Sequence, residues 1–411
     1  MKKKKTVLEN TLWQIIGRGI MLACSFLTIF FLTRILSPSL YGNYAFITTT
    51  ILFFFNLADF GVGTIAVKKS AKGKITQNKI FNQALGAKLL FTIIAVIIAI
   101  IIVLALPQFR GIRLPALIAI SALFFHTSRT LANIFFIASS RFLKKVFFEC
   151  WASIFFLAAV AIVFFYFPSV NIKGIILFWV LASFLSGLSA LVFLLKQEKF
   201  QLNSNFFQIK GLVKESLPLG TRQLIFATYD LAIDSFFIKT MLGSIAVGQY
   251  NLAYKIYGNL ILLAAFFMNS LFPVMIKKGH RNLKKTFNNA FKILFPASLI
   301  IAVTIQLSAP FLINLIGGPS FNASIKVLRI LGLALIFSYL NHLLGYTMIA
   351  LGFGKKLLYF SLAALVVNLL GNWFLIPHWQ LTGAAVTTGL TELVMMILGS
   401  IFLLKRISLI E

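Results

Sequence analysis

The sequence predicts an all-α polytopic membrane protein with about twelve transmembrane helices in two similar halves. Of its 411 residues, 60% are hydrophobic and only 11% are charged. The mean hydropathy of +0.95 is too high for a chain whose surface faces water. Apolar stretches of about twenty residues recur from end to end, each long enough to cross a hydrocarbon layer of about 30 Å. The two halves also align with each other, which predicts two related bundles.

The predicted spans divide evenly between the two halves. Those of the first half begin near residues Leu12, Tyr44, Ala84, Pro115, Val146 and Ile172. Those of the second half begin near residues Lys214, Ala246, Phe287, Ala323, Lys356 and Leu381. We therefore predict a six-helix bundle over residues 1–197, a cytoplasmic linker over 198–213 and a second six-helix bundle over 214–411. The lysine run 2–5 precedes a long apolar stretch without a cleavage pattern, which indicates an uncleaved first helix.

The distribution of basic residues predicts the orientation in the membrane. The chain has 38 Lys and Arg against 9 Asp and Glu, a formal net charge of +29. Of the basic residues in predicted loops and at helix ends, 25 lie on the side of the N-terminus and 7 on the opposite side. By the positive-inside rule, both termini are expected in the cytoplasm. The charge is thus a topology signal, and we predict no nucleic-acid partner.

An internal repeat predicts how the halves are related. At an offset of 206 residues, FFLTRILSPSLYGNY from Phe30 aligns with FFIKTMLGSIAVGQY from Phe236, and FNQA from Phe81 aligns with FNNA from Phe287. Any two apolar helices share letters by chance, but several collinear matches make chance a poor explanation. Six helices per repeat is an even number, so the halves should run parallel, related by an axis along the membrane normal. The two cysteines lie far apart in sequence, so we expect neither a disulfide framework nor a metal site.

Three arginines within predicted spans are candidates for binding a diphosphate. Arg18, Arg129 and Arg222 lie about 9 to 18 Å from the predicted cytoplasmic ends of the first, fourth and seventh helices. Arginine stays charged, and its planar fork of donors suits phosphate oxygens. The alternative is that Arg18 snorkels to the interface and that the other two pair with backbone or acids. Lys88, at a predicted helix start, is explained by snorkelling.

A second set of charges lies nearer the predicted outer face. Asp230 and Asp234 are on the seventh helix, Lys255 is on the eighth and Glu392 is on the twelfth. Asp230, Lys255 and Glu392 have similar predicted depths and are expected to meet. An acid there could exchange H⁺ or bind Na⁺ as the coupling ion. The alternative is a static ion pair between Asp230 and Lys255.

Two further features allow a functional and a structural interpretation. Tyr250, Tyr254 and Tyr257 form an i, i+4, i+7 stripe that is suited to contact with sugar rings, although such stripes often serve packing. Asp59, in the segment NLADFGVG, either caps a turn or closes an inner gate.

The motifs NTLWQIIGRGI, LTRILSPSLYGNYAF and LADFG, with DLAIDSFFIKTMLGSIAVGQYNLAYKIYG in the second half, resemble those of polysaccharide (O-antigen type) flippases. These belong to the multidrug/oligosaccharidyl-lipid/polysaccharide exporter superfamily. The resemblance implies two six-helix bundles around a central V-shaped cavity, as in MATE transporters. It also implies a location in the bacterial cytoplasmic membrane and an oligosaccharide on undecaprenyl diphosphate as the substrate. Alternating access would carry that substrate to the outer leaflet.

Carried onto this chain, the resemblance implies a cationic cavity formed by Arg18, Arg129, Arg222 and Lys255, with coupling acids at Asp230 and Asp234. Membrane lipid, a polysaccharide polymerase and chain-length proteins are the implied partners. A cation-coupled multidrug or metabolite antiporter is the alternative, but it would need an acidic cavity. A membrane glycosyltransferase would need positioned acid and base residues and usually a sizeable extramembrane domain, so we predict no enzymatic activity. Twelve helices also differ from the fourteen of lipid II flippases in the same superfamily.

Overall fold

A computed structural model describes residues 2–72, 76–167, 170–198, 200–201, 203 and 207–407. The backbone alone is described at residues 2–11, 71–72, 230–231, 273–274, 276–282 and 406–407. The described chain is helical almost throughout, as predicted. It divides into two compact units, Met1–Ala227 and Thr228–Glu411.

The first unit contains nine α-helices in the part of the chain that is described. They are α1 (Lys2–Ile35), α2 (Pro38–Asp59), α3 (Val62–Lys72), α4 (Gln77–Ala105), α5 (Arg113–Ile120), α6 (Ala122–Ala138), α7 (Phe142–Tyr166), α8 (Ile172–Glu198) and α9 (Lys210–Ala227). Compactness assigns α9 to this unit, whereas the sequence repeat assigns it to the second half.

The second unit begins with a π-helical turn at Thr228–Ala232, which continues α9 without a loop. Its α-helices are α10 (Ile233–Leu242), α11 (Ser244–Ile316), α12 (Ala323–Ala350) and α13 (Gly354–Ile407). Helix α13 has two arms, because Gln380 breaks it with φ 50° and ψ −130°. A π turn adds a residue between successive hydrogen bonds, and such turns are frequent at functional sites.

The number of apolar spans among the described residues is roughly consistent with the predicted twelve. Nine of the described helical stretches are long and apolar enough to cross a membrane. Helices α2 and α3 form a tenth span with a 43° bend. One of the nine, Gly354–Lys405, is 52 residues long and is broken at Gln380. The protein is therefore a multi-pass membrane protein.

The bend between α2 and α3 follows from local chemistry. Pro38 is in the first turn of α2, and the Ser37 hydroxyl accepts a hydrogen bond from the backbone N–H of Leu40 as an N-cap. At the other end, Phe60 has φ 38° and Gly61 has φ 74°, so the helix stops in the left-handed region. A side chain at Gly61 would also approach the backbone of Gly220 to 3.0 Å, which shows how closely α9 packs on this bend.

The segment after α8 is bound to the start of α4. The backbone N–H of Gln201 donates to Asn78 Oδ1 at 2.9 Å, and Asn82 Nδ2 donates to the Gln201 carbonyl at 2.8 Å. The N–H of Asn203 donates to Asn82 Oδ1 at 3.1 Å. The Phe200 ring stacks on Phe81 with centroids 4.5 Å apart. These contacts hold the beginning of the connection between the halves on the first unit.

Candidate functional site

The second unit buries a carboxylate among neutral hydrogen-bond donors. Asp234 is only 5% exposed and lies in the first turn of α10. It accepts hydrogen bonds from Tyr250 Oη at 2.6 Å and Thr388 Oγ1 at 2.9 Å. It also accepts from Asn372 Nδ2 at 2.7 Å and Asn368 Nδ2 at 3.2 Å. We call Asp234 and these four donors the Asp234 nest.

Three helices build the nest, all of them in the second unit. Asp234 comes from α10 and Tyr250 from α11, while the two arms of α13 supply the asparagines and the threonine. Asn368 and Asn372 are four residues apart and thus share a helix face; Asn372 Nδ2 also bonds to Asn368 Oδ1 at 3.1 Å. Each of these four hydrogen-bond partners of the carboxylate is a neutral group. A proton or a monovalent cation would therefore change the net charge of the nest from −1 to zero.

The nest contains oxygens of the kind that bind a hard cation, and such an ion would bind once the donors to Asp234 turned their oxygens towards it. Carboxylate, hydroxyl and amide oxygens are the ligands that such ions prefer. Among the described residues no group of three or more His, Cys, Asp or Glu side chains is placed to hold a metal ion. A single carboxylate with neutral oxygens fits an ion of low charge better than it fits Zn²⁺ or Ca²⁺.

The structure describes only part of the predicted contact among the side chains of Asp230, Lys255 and Glu392. The side chain of Asp230 lies outside the described residues. Glu392 Oε2 accepts from Asn341 Nδ2 at 2.6 Å, which joins α13 to α12. Lys255 is half-buried on α11, and no described carboxylate lies within ion-pair distance of it.

The tyrosine stripe lies largely inside the second unit. Tyr250 and Tyr257 are each 1% exposed, and their hydroxyls bond to Asp234 and to Ser338 Oγ, the latter at 2.8 Å. Tyr254 is half-buried between them. The sugar contact predicted for the stripe therefore rests on Tyr254 alone in this conformation, and Tyr250 belongs to the Asp234 nest.

In the first unit, helix α6 presents two buried polar atoms without partners. Arg129 is half-buried; its Nη2 lies 3.4 Å from His126 Nδ1, while its Nε has no hydrogen-bond partner in the described structure. Asn133, one turn further on, donates to Glu149 Oε1 at 3.2 Å. Its Oδ1 is also buried without a partner. The same helix face thus offers an unsatisfied cationic donor and an unsatisfied acceptor.

The other two predicted arginines also belong to the first unit. Arg18 is exposed on α1, and Arg222 is half-buried on α9. The exposure of Arg18 fits the snorkelling alternative as well as a place in an open cleft. A diphosphate role for Arg18, Arg129, Arg222 and Lys255 stays a prediction.

Asp59 forms an ion pair that the sequence did not indicate. Lys88 Nζ donates to Asp59 Oδ1 at 2.5 Å and to Thr130 Oγ1 at 3.0 Å. Lys88 is completely buried, so the prediction that it snorkels is wrong: it lies three turns inside α4, where the nearest carboxylate compensates its charge. The pair joins the end of α2 to α4 and α6. A gate role for Asp59 stays a prediction, and it would require this pair to open.

Several polar residues at these sites were missed because they carry no charge. Asn368, Asn372 and Thr388 complete the Asp234 nest, and Asn133 is the neighbour of Arg129. Two asparagines four residues apart in the apolar run ALVVNLLGNWFLI are a usable signal, since amides within a membrane span need hydrogen-bond partners.

A family model described as polysaccharide biosynthesis protein matches residues 7–279. The chain belongs to this family. A capsular polysaccharide biosynthesis protein, CapF of Staphylococcus aureus, is 24% identical over 255 residues. That alignment covers 55% of this chain and 63% of the relative, which is less than two thirds of the relative's length.

The fold of this family member is that of known transporters. An inward-facing multidrug resistance transporter of the MATE family, in the MOP superfamily, matches with a TM-score of 0.78 at 14% identity, covering 97% of this chain and 98% of the other. The lipid II flippase MurJ in an inward closed conformation matches with a TM-score of 0.77 at 14% identity, covering 97% and 87%. The predicted MATE-like fold class is confirmed. These similar structures are a transporter and a flippase.

Proposed function

We propose that the protein is a flippase. It would move oligosaccharide units linked to undecaprenyl diphosphate from the cytoplasmic to the outer leaflet of a bacterial cytoplasmic membrane, by alternating access. Both termini would be cytoplasmic, in keeping with the basic loops. The family and the fold support a role in polysaccharide export, and the polymerase and chain-length proteins of that process are the expected partners. The observation that carries the proposal is the buried, unpartnered Nε of Arg129.

A diphosphate would satisfy Arg129. A buried donor without a partner costs about 1 to 3 kcal/mol, and more when the group is charged. A phosphate oxygen in contact with Nε would remove this cost and match the guanidinium charge. Asn133 Oδ1, one turn away, would accept a hydrogen bond from a sugar hydroxyl of the same substrate. In the second unit, Lys255 supplies a membrane-embedded cation with no described carboxylate beside it, while Arg18 and Arg222 would add charge to the first unit.

The Asp234 nest would bind the coupling ion. An ionised carboxylate held by neutral donors can take up H⁺ or Na⁺ without first breaking an ion pair. Binding of the ion would reorganise hydrogen bonds among three helices of the second unit. Coupling at Asp234 would therefore link the electrochemical gradient to a conformational change.

The experiment is a chromosomal deletion with quantification of lipid-linked oligosaccharide in each leaflet. The flippase proposal predicts accumulation in the inner leaflet and loss of surface polysaccharide. Arg129→Ala should fail to restore export, and Arg129→Lys should restore it only partly, because lysine keeps the charge and loses the fork. Arg110→Gln, an exposed arginine in a loop of the same unit, is the matched control and should restore export fully. Normal surface polysaccharide in the deletion strain would remove the proposal.

The acidic nest also favours a second candidate, a cation-coupled multidrug or metabolite antiporter. That function predicts unchanged lipid-linked oligosaccharide and increased drug sensitivity in the deletion strain. Asp234→Asn should abolish drug efflux in that case, whereas Arg129→Ala should leave it intact. The variants Arg129→Ala and Asp234→Asn, tested in the same deletion strain, thus separate the two functions.

A further inference from the structure

The guanidinium of Arg129 has one hydrogen-bond partner in the described part of the chain, and that partner is neutral. Its Nη2 lies 3.4 Å from Nδ1 of His126, one turn earlier on α6. A guanidinium offers only donors, so Nδ1 must be the acceptor and the imidazole proton must lie on Nε2. Within this contact His126 is therefore an uncharged ring. The distance is long for a hydrogen bond, which leaves the guanidinium able to shift towards a ligand.

Aromatic rings from two other helices fix the orientation of this imidazole. Phe55 of α2 stacks on His126 with ring centroids 4.0 Å apart and an interplanar angle of 5°. Phe55 in turn stacks on Trp179 of α8, with centroids 6.2 Å apart and an angle of 22°. Rotation of the imidazole ring would lose the parallel contact with Phe55. Three helices of the first unit therefore set the direction in which Nδ1 points.

No carboxylate of the described residues takes the place of this neutral acceptor. Glu149 of α7 contacts α6 nearby, but it is held by Asn133 Nδ2 at 3.2 Å and by Lys145 Nζ at 3.5 Å. Arg129 forms no ion pair with it or with any other acid in the described ranges. A carboxylate would bind the fork of the guanidinium at two points and compensate its charge. A neutral ring holds one nitrogen of the fork and leaves the charge available.

Another embedded cation of the first unit shows the contrast. Lys88 is completely buried, and its Nζ is paired with the Asp59 carboxylate. That pairing compensates the lysine charge and leaves little of it for an external anion. Arg129 is held by an imidazole instead, and its Nε is buried without a hydrogen-bond partner in the described structure. Of these two cations, Arg129 is the one arranged to bind an anion.

We propose that His126 is a positioning residue for anion binding at Arg129. Its Nδ1 holds Nη2, so the guanidinium is already oriented when the anion arrives and keeps its charge. A long arginine side chain loses rotamer freedom when it binds a ligand, and orienting it beforehand reduces that loss. The inference rests on the proposed function, because the diphosphate of the lipid carrier is the anion assigned there to Arg129. It adds an uncharged residue that controls the affinity by acting through Arg129.

Binding of undecaprenyl diphosphate to the purified full-length protein, measured by native mass spectrometry, tests the proposal. His126→Phe keeps a ring to stack on Phe55 and removes the acceptor, so it should lower the affinity about fivefold or more. Its melting temperature should stay near that of the wild type. His126→Asn should show the reverse pattern, because its Oδ1 can accept from Arg129 while the stack is lost. Its affinity should stay within about twofold of the wild type, and its melting temperature should fall.

A double-mutant cycle separates this inference from the proposed function. Arg129→Ala should weaken binding, and adding His126→Phe to it should have no further effect, because His126 acts through Arg129. His342→Phe, which changes a half-buried histidine of α12, is the control and should bind like the wild type.

The outcomes that contradict the two ideas differ. The role of His126 is overturned, and the diphosphate site stays, if His126→Phe binds like the wild type or if His126→Asn loses as much affinity as His126→Phe. A further loss in the double variant, or an equal loss in His342→Phe, overturns it in the same way. Wild-type affinity in Arg129→Ala would remove the diphosphate site itself and the role of His126 with it.

Discussion

Two buried or partly buried aspartates, one in each unit, have opposite surroundings. Asp59 of the first unit pairs with a completely buried lysine, Lys88, and its side chain is 24% exposed. Asp234 of the second unit is 5% exposed and accepts four hydrogen bonds, all from neutral groups. The first carboxylate is compensated by a charge, and the second only by dipoles.

This difference separates a structural charge from one that can change. Removing the proton acceptor from an ion pair leaves a buried cation, which is strongly unfavourable. Neutralising a carboxylate that has only dipolar partners removes a buried charge and leaves no other charge exposed to the apolar interior. We therefore expect the Asp59–Lys88 pair to hold the fold of the first unit, and the Asp234 nest to respond to ions.

The largest expected effect comes from breaking the ion pair. Lys88→Met should destabilise the protein by about 3 to 5 kcal/mol, because it leaves Asp59 without its cation. A thermal melt followed by size-exclusion chromatography measures this loss, and we expect a large fall in the melting temperature. Lys88→Met with Asp59→Asn should recover much of the loss. Lys292→Met, which changes an exposed lysine of α11, is the control, and an equal effect there would contradict the assignment.

The same substitution at the two aspartates should give opposite results. Asp59→Asn should destabilise the protein, because it isolates Lys88. Asp234→Asn should fold with a melting temperature near that of the wild type, but should reduce ion-driven transport about tenfold or more, because an amide cannot take up H⁺ or replace the carboxylate as a ligand for Na⁺. Transport in proteoliposomes under a pH gradient and then under a Na⁺ gradient would identify the ion. If Asp234→Asn transports normally under both gradients, the nest is not the coupling site.

The sequence predicted the fold well because its signals are long and redundant. Apolar spans, alternating basic loops and a repeat all predict the same twelve helices. It also singled out Asp234 as a candidate site residue, since an acid in a membrane span is costly. The partners of Asp234 were not predictable in the same way, because Asn368 and Thr388 are 134 and 154 residues away from it in sequence and carry no charge. Contacts of this range depend on how the two arms of α13 pack.

Lys88 shows the limit of arguing from depth along a helix. Its place near a predicted helix start favoured snorkelling, but the structure begins α4 at Gln77 and places Lys88 three turns inside. An error of one or two turns in a helix start changes an interfacial lysine into a buried one. The same sensitivity applies to Arg18 at the start of the chain, whose exposure does not by itself distinguish a cleft from the interface.

A third test uses the repeat to compare the two units directly. Asn82 and Asn288 align in the motifs FNQA and FNNA. Asn82 is fully buried and bonds to the segment after α8, whereas Asn288 is exposed. Asn82→Ala should cost about 1 to 3 kcal/mol, because it leaves backbone groups of that segment without partners. Asn288→Ala should be close to neutral in the same melting assay, and equal costs would show that burial of Asn82 does not stabilise the first unit.

The smallest expected effect concerns a single hydroxyl of the nest. Tyr250→Phe removes the 2.6 Å hydrogen bond to Asp234 and keeps the ring, so it should cost about 1 kcal/mol. Because that bond stabilises the ionised carboxylate, its loss should favour the protonated form and shift the pH dependence of transport towards higher pH. Tyr257→Phe removes the hydroxyl bond to Ser338 instead and should leave the pH dependence unchanged at a similar cost in stability. Equal shifts in both variants would show that the hydroxyl acts through general packing and not through the charge of Asp234.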